Sequence, residues 1–482
     1  MTTRRSINSG SLLEGVDLEA VLLYLLIVLI GWISITAASY NEEITSLFSF
    51  KHYYIKQAIW VGLAFTVGLF VLLIDSQYYH RYAYPLYLAG LGVLLLTLVA
   101  GSEKNGAKAW FELGSFAIQP IEFVKIATAL ALARLMSEYS FSITKVGDII
   151  KSGLIICAPL LIVILQNDTG SGIVLGSFLM VFYREGLNKW LCIPVLLVAT
   201  LFILSFVLPP LTLLVALLLV CVLSEMMITR QMRSRLGFLA AIFLMAFVVQ
   251  ALCSLFWPGK IDFYMALLMV SSVAALGVAI YAFRAKLAAT FITLALFVGS
   301  IIFLPTTNYL FNSVLKSHQQ DRILSFLGVL DDPRGADFNV RQAKIAIGSG
   351  GVFGKGFLES TQIKNGFVPE KHTDFIFCTL GEEWGFMGTS FVLALFCLLI
   401  LKLMRMGERQ EEPFGRIYCY CVASILMFHV LVNIGMTIGL MPVMGIPLPF
   451  MSYGGSSLIA FTIMLFIAIR LDASTRSVSF HN

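Results

Sequence analysis

Charge is what this chain has least of. Of its 482 residues only 13% are Asp, Glu, Lys or Arg, where soluble globular domains carry roughly 25%. That scarcity, with a mean hydropathy of +0.88, excludes a water-soluble fold. Polar stretches are missing too: outside residues 305–375 no segment is polar enough to form a soluble domain hung on one anchor. The strict alternation that builds an outer-membrane barrel is absent, because the apolar runs are long and unbroken. Paired cysteine motifs are lacking as well. Cys157, Cys192, Cys221, Cys253, Cys378, Cys397, Cys419 and Cys421 all lie within apolar stretches and read as packing residues, neither a disulfide framework nor a metal cage. The six histidines form no HExxH. No small-residue cleavage site follows the first apolar run, so that run is expected to stay as a helix rather than to be removed as a signal peptide.

What the chain does have is runs of hydrocarbon length. About 20 apolar residues cross a bilayer as a helix, and such runs fall at 18–39, 53–74, 83–100, 119–136, 152–166, 170–183, 192–208, 210–228, 237–257, 261–283, 287–304, 376–402, 415–441 and 451–470. These fourteen stretches predict an all-α polytopic membrane protein. With the N-terminus inside, nineteen Lys and Arg residues fall on short inner segments and five on short outer ones, the bias expected of cytoplasmic loops. Both termini are therefore expected in the cytoplasm, and the long segment 305–375 outside. Pro209 and Pro210 read as a tight outer turn between two helices, since a single helix would reverse the orientation of everything after it. Gln166, Asn167, Asp168, Thr169 and Gly170 separate two short runs, which predicts either a break at the outer rim or in a cavity, or an ordinary tight loop.

Polar groups gather in three places. In Gln119 to Lys125, Pro120 suits a helix start, and Glu122 and Lys125 are three apart and share a face. Ionisable groups at membrane depth line protein interiors or watery cavities. The pair is thus either a structural lock between helices or an electropositive site for an anionic substrate. The second place is 345–377, where five glycines in nine residues surround Lys355 and can present backbone N–H groups to an anion or form a flexible loop. The spacing of a nucleotide P-loop fails there. Beyond it, Asp374 is the last acid before an apolar run. A partly desolvated carboxylate suits a general base, and the same residue can also cap the following helix. The third place runs from Asn433 to Ser457, where Pro442, Pro447 and Pro449 force a rigid turn whose role reads as structural.

The segments NGAKAW (105–110), QPIEFVK (119–125), QAKIAIGSGGVFGKGF (342–357), PEKHTDFIF (369–377) and NIGMTIGLMPVMGIPLPFMSYGGSS (433–457) resemble the SEDS family of peptidoglycan glycosyltransferases, and within it the RodA-like elongation branch. The resemblance implies a SEDS-type helical bundle: a single integral membrane domain over 1–482, with a family core of ten helices. About four extra helices then lie between 190 and 304, and 305–375 forms a large extracellular loop carrying the catalytic motif. It implies polymerisation of lipid II at the bacterial plasma membrane during elongation, with undecaprenyl pyrophosphate as leaving group. Asp374 corresponds to the family's catalytic acid. Glu122, Lys125 and Trp110 correspond to cavity residues, and Lys355 and His372 join them as substrate-binding candidates. Trp110 is expected in a loop, either stacking on a sugar or anchoring at the interface. No protein metal site is expected; a divalent cation, Mg or Mn, can come with the substrate pyrophosphate. The implied partners are a class B penicillin-binding protein, other elongation-complex membrane proteins, lipid II and membrane lipids, and no nucleic acid. Two other classes fit the same helices: a flippase or transporter for lipid-linked precursors, and a non-catalytic scaffold for a penicillin-binding protein. Internal symmetry between the halves separates the first, and dispensability of Asp374 the second.

Overall fold

The computed structural model describes residues 15–39, 52–104, 106–113, 116–187, 208–229, 232–256, 262–287, 317–326 and 336–479, with scattered positions within 200–205 and 290–313. Among the described residues nine helices are long and apolar enough to cross a membrane. Helices α1 (Leu18–Ser39), α2 (Tyr53–Leu73), α3 (Ser76–Ala100), α4 (Pro120–Met136) and α5 (Val146–Leu165) follow the first five apolar runs. The sixth run is divided into α6 (Thr169–Leu175) and α7 (Phe178–Arg184). Then come α8 (Pro210–Thr229), α9 (Met232–Phe256), α10 (Phe263–Arg284) and α11 (Ser317–Phe326). The last group is α12 (Ala336–Ser349), α13 (Thr361–Lys364), α14 (Ile376–Glu408), α15 (Pro413–Thr437) and α16 (Gly455–Ser479). The runs expected at 192–208 and 287–304 lie largely outside the described residues.

The chain forms two compact units, Met1–Leu187 with Asp332–Asn482, and Asn188–Asp331. The second unit has its own core, built on Leu214, Leu218, Ile242, Ala246, Leu267 and Phe297, and the stretch 190–304 falls inside it. In the first unit α2 packs on α16, α3 on α4, α14 on α15 and α1 on α14. Helix α4 is the enclosed strut: apart from Phe123 and Arg134 its residues are all buried, and alternating alanines at 127, 129, 131 and 133 let neighbours approach closely. Leu96 and Val99 on α3, and Leu161 and Leu165 on α5, are exposed, as lipid-facing residues must be.

Between α3 and α4, where Trp110 was expected in a loop, the chain instead forms a three-stranded antiparallel sheet of β1 (Ser102–Lys104), β2 (Ala107–Leu113) and β3 (Phe116–Ile118). Two of those strands are three residues long, too short to leave a periodic signal. The polar break after α5 is present. Asn167 takes a φ of 61°, and Asp168 caps α6, accepting from the Ser171 N–H at 3.1 Å and the Ser171 hydroxyl at 2.8 Å. The Gln119 amide also donates to Asp168, at 2.8 Å, so the break is stitched to the start of α4.

Helix α14 is not continuous. At Gly385 the backbone turns to φ 64° and ψ −160°, a region open essentially only to glycine. The glycine run fills this break. The Lys355 and Gly356 N–H groups donate to the Glu382 and Glu383 carbonyls, both at 3.0 Å, while Phe386 and Met387 donate back to Gly351 and Val352. A Cβ on Gly385 would stand 2.3 Å from the Gly354 nitrogen. Gly385→Ala should therefore destabilise the protein by about 3 kcal/mol or more, adding backbone strain to overpacking. A thermal melt in detergent checks this, and an unchanged melting temperature would refute it.

Candidate active site

Asp374 lies just before α14, at the end opposite Arg409, which ion-pairs with Asp17 and Asp472. It does not cap that helix. The N-cap position belongs to Phe375 and has no side-chain cap. The backbone around Asp374 is tethered at three points. The Tyr453 N–H donates to the His372 carbonyl at 2.8 Å, the Ser452 hydroxyl to the Thr373 carbonyl at 2.7 Å, and the Asn433 amide to the Asp374 carbonyl at 2.9 Å. Three successive carbonyls are thus tethered by the proline-rich motif, leaving the Asp374 side chain partly exposed. The same Asn433 amide donates to the Ile446 carbonyl at 2.7 Å, so both its hydrogens are used. Gly445, in the left-handed region at φ 68°, passes close to the carboxylate: a Cβ there would lie 3.6 Å from Asp374 Oδ2.

Glu122 and Lys125 meet as the spacing predicts, with Lys125 Nζ 2.8 Å from Glu122 Oε2. Both are buried, Lys125 at 0% exposure. A third group joins them, His429 of α15, whose Nε2 lies 3.0 Å from Lys125 Nζ. Its Nδ1 sits 3.2 Å from the Pro447 carbonyl. A carbonyl only accepts, so Nδ1 carries the proton and Nε2 accepts from the ammonium. The Phe461 ring faces the ammonium at 5.3 Å.

The other candidates stand apart from this pair. Lys355 donates to Glu382 at 2.6 Å and to Thr361 at 2.7 Å. Glu382 is fully buried and also accepts from the backbone N–H groups of Thr361, Gln362 and Ile363. Glu383 accepts from the Leu358 N–H and the Ser360 hydroxyl. Those two carboxylates strap the glycine loop to the helix break. Glu383 and Trp384, with Ile33, Phe353, Phe357 and Gly388, line a groove of about 580 Å³. Trp110 sits on β2 with Lys104 5.4 Å over its ring.

His372 is stacked on Tyr53 at 4.6 Å, and Tyr53 meets Tyr453 edge-on. Its Nδ1 finds no hydrogen-bond partner among the described residues. Burial, and then the adjacent Lys371 ammonium, push its pKa down to about 4. The unfolded ring takes a proton near 6.5, the folded one only near 4. The stability gained by keeping it neutral is complete above 6.5 and is lost as pH falls from 6.5 towards 4, up to about 3 kcal/mol. Melting temperature should fall through that window, and His372→Phe should flatten the fall. An equal slope in the variant would remove His372 as its source.

The sequence profile of the FtsW/RodA/SpoVE cell cycle proteins matches residues 18–212 and 214–477. The chain belongs to the FtsW/RodA/SpoVE family. It is 33% identical to the peptidoglycan glycosyltransferase RodA of Treponema pallidum, over 88% of this chain and 90% of that one. It is 27% identical to stage V sporulation protein E of Bacillus subtilis, over 96% and 97%. Its fold is similar to a chain in a solved peptidoglycan synthase complex that coordinates polymerisation and crosslinking, with a TM-score of 0.58 at 23% identity, covering 95% of this chain and 98% of that one. Thermus thermophilus RodA gives 0.54 at 23% identity, covering 95% and 96%.

Two side chains of this FtsW/RodA/SpoVE protein escaped the sequence reading as site residues, His429 and the carboxylate pair's Glu382. His429 was one of six scattered histidines. Its signal was its place four residues before Asn433, which puts two polar groups on one face of an otherwise apolar helix. Glu382 follows Gly381 in an apolar helix, and its partners lie some twenty residues upstream. Among the described residues no three His, Cys, Asp or Glu side chains gather as a metal site.

Proposed function

We propose that this multi-pass membrane protein is a peptidoglycan glycosyltransferase that polymerises lipid II during cell elongation. The observation that carries the proposal is the carboxylate of Asp374, held by three tethered carbonyls and joined through Asn433 and the 446–447 turn to His429 and Lys125. The names of its relatives supply the reaction class. In this reading Asp374 takes the proton of the acceptor sugar's 4-hydroxyl as its oxygen bonds to C1 of the donor. The C1–oxygen bond to undecaprenyl pyrophosphate breaks, and the pyrophosphate leaves with the electron pair.

An alcohol is a weak nucleophile at neutral pH, and a positioned base is worth about 10²–10⁴ in rate. Negative charge grows on the pyrophosphate, which preorganised cations stabilise. Lys125 is the first candidate: it has no exposed surface, so its charge acts on the pyrophosphate through the low-dielectric bundle and not by contact. Lys355 is the second. Any Mg or Mn ion would be held with the substrate's own oxygens, since no protein cage is assembled among the described residues. Trp110 and His372 are sugar-facing candidates. The reading includes the bacterial plasma membrane, cytoplasmic termini, and a class B penicillin-binding protein as partner. The last is supported by the polymerisation and crosslinking described for the solved synthase complex. Asp374→Asn in purified protein, assayed on labelled lipid II, tests the chemistry: loss of product supports it, and turnover near wild type overturns it.

A further inference from the structure

We infer that Asn433 and His429 are positioning residues that hold the base and the cation of the site in one frame. The inference rests on the assignment of Asp374 as base. Four residues apart on α15, the two side chains lie on the same face one turn from each other. Each reaches in two directions. Asn433 donates to the Asp374 carbonyl and to the Ile446 carbonyl. His429 contacts Lys125 Nζ and the very next carbonyl, Pro447. The consecutive peptides 446 and 447 therefore form a bar, gripped at one point by the residue that touches Asp374 and at the other by the residue that touches Lys125.

The bar itself is stiff. Pro447 and Pro449 fix their own φ angles. The Leu448 N–H donates to the Ser452 hydroxyl at 2.8 Å, and that hydroxyl in turn donates to the Thr373 carbonyl. The base strand is thus held from Asn433 and from Ser452, and both holds run through the 446–452 turn. Asn433 is fully buried and Ser452 nearly so, which keeps water from competing for those carbonyls. Neither Asn433 nor His429 touches the Asp374 carboxylate in any described contact. Their effect on the reaction is geometric: they set where the carboxylate stands relative to the ammonium. A misplacement of about 1 Å at a reacting group costs about 10²-fold in rate.

The test uses full-length purified protein in detergent with labelled lipid II. Asn433→Ala should lower kcat about 10- to 100-fold with KM within about twofold of wild type, and Ser452→Ala should do the same to a smaller degree. His429→Leu should lower kcat likewise. His429→Gln should recover most of that loss, because a glutamine amide can both accept from Lys125 and donate to Pro447. Melts run in parallel separate misfolding from misplacement. If Asn433→Ala does not fold, Ser452→Ala decides. Wild-type kcat in a folded Asn433→Ala, a loss carried by KM instead, or His429→Gln no better than His429→Leu overturns the inference. Those outcomes with a dead Asp374→Asn leave the base assignment standing, whereas an active Asp374→Asn overturns that assignment itself.

Discussion

Asp374→Asn should cut lipid II polymerisation by about 10²–10⁴-fold and leave the melting temperature close to wild type. The fold should survive because its grip on this strand is on main-chain carbonyls: those of His372, Thr373 and Asp374 accept from Tyr453, Ser452 and Asn433. Asparagine preserves every one of those bonds and the side-chain volume, and the helix N-cap belongs to Phe375. What asparagine removes is the negative charge, and with it the capacity to take a proton. Gel analysis of glycan strands, with a melt of the same preparation, checks both halves of the expectation. Product at the wild-type rate would mean that Asp374 is not the base, and a scaffold role would then become the better reading.

The second large effect is on stability. Lys125→Met leaves the Glu122 carboxylate, 2% exposed, without its cation. Removing one partner of a buried pair typically costs about 3–5 kcal/mol. His429 does not compensate, since it accepts from the ammonium rather than neutralising the acid. Adding Glu122→Gln removes the stranded charge, so the double variant should regain most of the lost melting temperature. It should not regain activity if the ammonium stabilises the departing pyrophosphate. A double variant that polymerises at the wild-type rate would reduce the pair to a structural lock. A single variant as stable as wild type would mean Glu122 is protonated or wet in the bundle.

The i, i+3 spacing of Glu122 and Lys125 was readable because both lie on one helix, where periodicity and proximity coincide. The place of Asp374 at the edge of an apolar run corresponds to its position just before α14. The first two apolar runs also gave their helices to within one residue, whereas the last, 451–470, is a helix that runs nine residues further, since hydrocarbon length is a strong local signal and polar helix ends leave none. What the sequence hid depends on distant partners. The glycine run looked like an anion cradle or a flexible loop, yet its N–H groups meet carbonyls of a helix that breaks some thirty residues later. Gly381, Gly385 and Gly388 fall within eight residues of α14, yet the apolar run around them is long enough to span a bilayer and so hid the break at Gly385. The rigid turn around Pro447 read as structural, and so it is in its bonds; its bearing on Asp374 comes from tethers to residues 372–374, far upstream in the chain.

The interruption at Gly385 divides the longest helix into unequal pieces. The longer, Phe386–Glu408, reaches roughly 34 Å at about 1.5 Å per residue, already enough for a hydrocarbon layer of about 30 Å. The shorter piece, which begins beside Asp374, need not be immersed at all. The joint is no free hinge, because the 351–356 run is hydrogen-bonded to both sides of it, so the two pieces keep a fixed angle. Crossing the bilayer and placing Asp374 thus fall to separate pieces of one helix.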